Sequence, residues 1–91
     1  MRYREAAVAG QFYPSASADL RHLMAEYFAA EPSDSTIPKA LIVPHAGYFY
    51  SGLVAAAAYR LINNAKRPFS RVILFGPSHY VALGNLETSK P

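Results

Sequence analysis

Lys39-Ala40-Leu41-Ile42-Val43-Pro44-His45 and Arg71-Val72-Ile73-Leu74-Phe75-Gly76-Pro77-Ser78-His79 are the two stretches on which the fold turns. In each, an apolar run proceeds without polar alternation and is closed by proline or glycine. Continuous runs of this kind mark strands covered on both faces, as in parallel sheets. Between them the chain must cross back over the sheet, and the spacing predicts a helix to do so. Leu53, Val54, Ala57, Ala58, Leu61 and Ile62 share one face. Ser51 is the expected N-cap, and Asn63-Asn64 the expected stop, since asparagine tolerates the left-handed conformation. Lys66-Arg67-Pro68 makes the return loop. The expected fold class is therefore α/β: a β-α-β unit of parallel strands with a right-handed crossover.

Upstream, Pro14 ends an apolar, aromatic arm that includes Gly10-Gln11-Phe12-Tyr13. A first helix should begin at Ser15 or Ser17, carry Asp19 in its first turn, and end near Ala30. Leu20, Leu23, Met24, Tyr27 and Phe28 form its apolar face. Residues 31–38 read as a polar connector bounded by prolines, and 83–91 as an irregular tail. Ninety-one residues, 52% of them hydrophobic, suit one small domain and exclude an intrinsically disordered chain. Without cysteine there is no disulfide framework, thiolate metal site or cysteine nucleophile.

The formal net charge is +3, and the basic residues are scattered rather than gathered in a stripe. That pattern argues against nucleic-acid binding. No run approaches the roughly 20 apolar residues needed to span a bilayer, and Arg2, Arg4 and Glu5 are not followed by a secretory h-region. A cytoplasmic protein is the expectation.

In open parallel sheets, ligands bind beyond the carboxyl ends of the strands. His45 lies two residues past Val43, and His79 four past Phe75, so a parallel pairing brings both to the same sheet edge. Imidazole is the commonest metal ligand among side chains, and two of them from nearby strand ends can converge on one ion. His22, beside Arg21 on the first helix, reads as a surface residue. None of the six acidic residues follows a strand end, so a third ligand is not visible. Tyr48 and Tyr50 read either as phenols walling a pocket above the site or as packing residues. Ser51 and Ser78 stand beside the histidine segments, but neither lies in a G-x-S-x-G elbow that would make it a nucleophile. Ser51 and Gly52 at a helix start offer a weak anion site.

At these residues the chain resembles the MEMO family, the mediator of ErbB2-driven cell motility and its prokaryotic relatives. The resemblance rests on Pro44-His45-Ala46-Gly47-Tyr48-Phe49-Tyr50-Ser51-Gly52, on Gly76-Pro77-Ser78-His79, and on Ala7-Val8-Ala9-Gly10-Gln11-Phe12-Tyr13-Pro14, in order from about residue 4 to residue 82. It implies a LigB-like α/β sandwich, the fold of class III extradiol dioxygenases, of which 1–91 would be the N-terminal part. It implies that His45 and His79 match two metal-binding positions, with iron the expected metal and copper or zinc the alternatives. It implies redox or oxygen chemistry on an unidentified small-molecule substrate. Animal members are adaptors in receptor signalling; prokaryotic members accompany an AMMECR1-like protein and a radical SAM protein. Family members are roughly three times as long and place a cysteine ligand far downstream, so the chain looks like a truncated gene product or an excised piece of one. Little or no dioxygenase activity is expected from it alone. The rival expectation is a non-catalytic interaction module that pairs with itself or with another subunit.

Overall fold

The computed structural model describes residues 3–82, 84 and 85. Two α-helices organise it: α1, Ser17–Tyr27, and α2, Tyr48–Tyr59, which runs directly into a 3-10 turn over Arg60–Asn64. Asp19 sits in the first turn of α1, where the positive end of the helix favours a carboxylate. The N-cap of α1 is Ala16 rather than Ser15 or Ser17, with no side-chain cap. The helix ends at Tyr27, short of Ala30, where the Phe28 N–H reaches back to the Met24 carbonyl. Leu20, Leu23 and Tyr27 of the expected apolar face are half-buried, while Met24 and Phe28 remain exposed. His22 is exposed and pairs with Glu26 at 3.0 Å, one helical turn on. Exposed pairs of this spacing contribute only about 0.3–0.5 kcal/mol.

α2 begins four residues earlier than the serine cap predicts, with Gly47 rather than Ser51 as N-cap and without a side-chain cap. The reason is tertiary: the Tyr48 N–H donates to the Phe12 carbonyl at 2.8 Å. A backbone oxygen from the N-terminal arm thus does what a capping side chain does elsewhere. Phe12 belongs to a tight turn in which Gln11 and Phe12 N–H groups bond the Val8 carbonyl and Gly10 N–H bonds the Tyr13 carbonyl. Gly10 has φ +82°, a conformation that excludes most other residues.

The two helices meet through Tyr27. Its hydroxyl donates to the Tyr48 carbonyl at 2.9 Å, and its ring lies against Gly52, where a Cβ would come within 2.6 Å of Cε2. Arg60 reaches across to the Tyr27 carbonyl through both Nε, at 3.0 Å, and Nη2. That carbonyl is among the last of α1, so a cation beside it also suits the helix dipole.

The 3-10 turn ends at Asn64, as the asparagine pair predicts, but by another route. No non-glycine residue among those described has positive φ. Instead the Asn64 amide donates to the carbonyls of Asp34, at 2.9 Å, and Thr36, at 2.7 Å. This ties the 31–38 connector to the end of the helical region. Within the connector, hydrogen bonds from Thr36, whose N–H lies 2.7 Å from Oδ1, hold the Asp34 carboxyl below its ordinary pKa.

Among the described residues no strand ladder forms, and the one isolated bridge joins Ala9 to Tyr13. Segments 40–43 and 71–75 have neither helical nor ladder structure. Leu41 and Val43 are half-buried while Ile42 is fully exposed, so this run is covered on one side. Residues 71–82 are exposed throughout. Among the described residues only Ser51 and Ala56, both on α2, are buried. The expected tail, 83–91, lies outside the described residues apart from 84 and 85.

Candidate metal centre at the paired histidines

Pro44 and Pro77 stand just ahead of the two histidine positions, each fixing one backbone φ. The chain turns sharply after His45, since α2 starts at Tyr48. Ser51, inside the first turn of α2, braces this turn. Its hydroxyl lies 2.8 Å from the Ala46 carbonyl and 3.3 Å from the Gly47 carbonyl. Such back-bonding within a helix consumes the hydroxyl locally, and Ser51 is buried. It is therefore a brace for the residue after His45 and not the cap expected of it. Because the helix starts upstream, Ser51 and Gly52 do not form its N-terminal anion site either.

The structure brings the two histidines together. The imidazole centroids of His45 and His79 are 5.3 Å apart, with the planes tilted by 40°. Both residues are exposed, and Tyr80 extends the cluster with its ring 6.3 Å from that of His79. Two imidazoles sharing a tetrahedral ion, with each nitrogen about 2.0–2.1 Å from it, have ring centres roughly 5 Å apart. As a donor set, two borderline nitrogen ligands suit iron, copper or zinc. Among the described residues no cluster of three or more histidine, cysteine, aspartate or glutamate side chains surrounds them.

The other candidates divide. Tyr48 and Ser51 line a cleft of about 1120 Å³ that also receives His45. The cleft lies between the small-residue side of α2, with Gly52 and Ala56, and the 73–77 segment. Tyr48 is half-buried, with its ring 5.6 Å from Tyr13 and 6.3 Å from Tyr27. This is the packing role, with its own carbonyl tied to the Tyr27 hydroxyl. Tyr50 points into solvent at 81% exposure, edge-on to an equally open Phe49. Ser78 is exposed and bonds the Val81 carbonyl, closing a local turn beside His79. Three residues that shape the site's surroundings escape a sequence reading: Tyr27, Arg60 and Gly52. Tyr27 shows only as one member of an apolar helical face and Arg60 as one scattered cation. Gly52 gives a usable signal, being a glycine inside a helical pattern, where close packing is the usual reason.

The chain matches the Memo-like protein family over residues 4–90. It is 46% identical over 79 residues to a MEMO1 family protein of Aquifex aeolicus, an alignment that covers 87% of this chain and 28% of the relative. It is 35% identical over 85 residues to a MEMO1 family protein of Methanopyrus kandleri, covering 84% of this chain and 30% of that one. It is 35% identical over 86 residues to Protein MEMO1 of Xenopus tropicalis, covering 94% and 28%. No solved structure gives a significant match. The chain belongs to the Memo-like family, and it spans under a third of the length of these relatives. The family match runs to residue 90, past the Ala82 limit that the motifs alone suggest.

Proposed function

We propose that this chain supplies two imidazole ligands, His45 and His79, to the metal centre of a dioxygenase-like Memo protein, with iron the first choice and copper or zinc the alternatives. The observation that carries the reading is the 5.3 Å separation of two imidazoles from segments more than thirty residues apart in sequence. Bound iron would supply redox and Lewis-acid chemistry toward a small-molecule substrate. The chain's own residues position and donate. Each neutral imidazole offers one ring nitrogen as a lone-pair donor. Ser51 fixes the Ala46 carbonyl, and with it the backbone just after His45. In the same proposal, 40–43 and 71–75 pair as parallel strands of a LigB-like α/β sandwich. Support comes from their continuous apolar character and from the helix that joins them.

Two nitrogen ligands hold a metal weakly, and the expected dioxygenase activity of this chain alone is little or none. The test is the iron, copper and zinc content of purified protein after metal loading and desalting. The wild type should retain more metal than the His45→Ala/His79→Ala double variant. Equal content in both would remove the ligand assignment.

Among the described residues no helix is long and apolar enough to cross a membrane. A second reading, a non-catalytic interaction module, is favoured by one observation: the run of large apolar side chains left open along 72–75.

A further inference from the structure

The backbone beside His45 is gripped by a segment that lies more than thirty residues upstream of it. Residues 8–13 close on themselves through main-chain bonds. The Gln11 and Phe12 N–H groups donate to the Val8 carbonyl, each at 3.0 Å, and the Gly10 N–H donates to the Tyr13 carbonyl at 2.7 Å. Gly10, two residues after Val8, has φ +82°. A positive φ at that place, with a bond from Gln11 back to Val8, marks a type II turn, which takes glycine or asparagine there. Space is not what requires glycine, because a Cβ at residue 10 would meet nothing closer than 3.6 Å. The backbone conformation is.

This turn holds the histidine loop by its main chain. The Phe12 carbonyl accepts the Tyr48 N–H at 2.8 Å. Around that bond the two segments touch: a Cβ at residue 47 would lie 3.5 Å from both Cα and the carbonyl oxygen of Phe12. The Tyr13 ring stands 5.6 Å from that of Tyr48. The residues gripped are the second and third after His45. Ser51 donates to the Ala46 carbonyl, and Pro44 has its own φ fixed by its ring. The backbone is therefore constrained on both sides of His45, and the constraint that is not local to the loop comes from the turn. His79 is held differently: residues 71–82 are exposed, and Ser78 donates to the Val81 carbonyl within its own segment. The meeting of the two rings, 5.3 Å apart, is thus set from the His45 side. Ligand groups placed before an ion arrives lose less ordering entropy when they bind it.

We infer that the turn over residues 8–13 is a positioning element for His45, acting through the Phe12 carbonyl and the Tyr48 N–H to keep that imidazole beside His79. Its use in metal binding rests on the ligand reading above; the ring geometry it sets does not.

The test compares the full 91-residue chain with three variants. Gly10→Val puts a β-branched residue where φ is positive, and Gly10→Asn restores a residue that tolerates it. Asn64→Ala removes the bonds to the Asp34 and Thr36 carbonyls, outside both histidine segments. Nuclear Overhauser contacts between the His45 and His79 rings are read in the metal-free chain, with exchange of the Tyr48 amide and the affinity for Zn²⁺ by calorimetry. The wild type, Gly10→Asn and Asn64→Ala should keep the ring-to-ring contact. Gly10→Val should lose it, exchange the Tyr48 amide faster and bind Zn²⁺ about tenfold more weakly, the scale on which groups that orient a ligand act. A merely stabilising turn would not separate Gly10→Val from Asn64→Ala. Where Gly10→Val loses the helical circular dichroism of the wild type, Gly10→Ala is read in its place. The inference is overturned by a wild type without the ring contact, or by Gly10→Val retaining it with the Tyr48 amide released. Loss of the contact in Asn64→Ala, or in Gly10→Asn, overturns it equally. A wild type that binds Zn²⁺ no better than the His45→Ala/His79→Ala chain removes the ligand reading, and the ring contact alone then decides this one.

Discussion

The Tyr27 ring lies close over Gly52, and this has a direct consequence for substitution. A methyl group at residue 52 would stand 2.6 Å from Cε2 and 2.7 Å from Cζ of the Tyr27 ring. The ring cannot simply swing aside, because its hydroxyl is bonded to the Tyr48 carbonyl. Gly52→Ala is therefore predicted to cost about 1–3 kcal/mol, the usual range for overpacking, despite alanine's better helix propensity. A urea midpoint equal to that of the wild type would refute the contact. At this scale the histidines were legible: each follows a strand-like run and a proline, and the two rings do meet. Ser51 does not cap α2 because that function has a competitor that no local pattern reveals. The Phe12 carbonyl, thirty-six residues before Tyr48, takes the first N–H of α2 and moves the helix start upstream.

At the level of elements, both helices are legible from their periodicity, as are the start of α1 at Ser17 and the stop at Asn64, but α2 turns Leu53, Val54 and Ala57 of its expected face outward and Ser51 and Ala56 inward. α1 stops at Tyr27 because Arg60 and the Phe28 N–H take the carbonyls of its last turn. Arg60, which lies thirty-three residues beyond Tyr27, is not encoded in the local sequence of α1. Arg60→Ala removes both guanidinium donors from the Tyr27 carbonyl. The predicted effect is fraying of the last turn of α1, at a cost of about 1 kcal/mol. Amide exchange at residues 24–28 should accelerate several-fold while exchange early in α1 is unchanged. Uniform acceleration along α1 would instead mean that Arg60 holds the two helices together as a whole. Segments 40–43 and 71–75 have the composition of doubly covered strands, and the open faces of Ile42 and of 72–75 show how much cover they still lack. A strand's periodicity states what the segment needs around it; it does not supply the neighbours.

For the molecule as a whole, the sparse burial sets the character of unfolding. The slope of stability against denaturant scales with the surface newly exposed, and a chain with two buried residues among those described has little left to expose. The isolated chain is predicted to unfold in urea with a slope below about 1 kcal/mol/M, the lower end for small proteins. A steep, cooperative transition from a demonstrated monomer would contradict this.

The clasp of Tyr27, Tyr48, Gly52 and Arg60 also orders events in time. All its members, with the Phe12 carbonyl, lie within the first sixty residues. During synthesis they leave the ribosome ahead of the 71–82 segment. The helical pair can close on the nascent chain as soon as Arg60 emerges. The apolar segment that follows then arrives beside a formed platform with its side chains open. Chaperone contact with the growing polypeptide should accordingly begin at that segment, not at the helices before it.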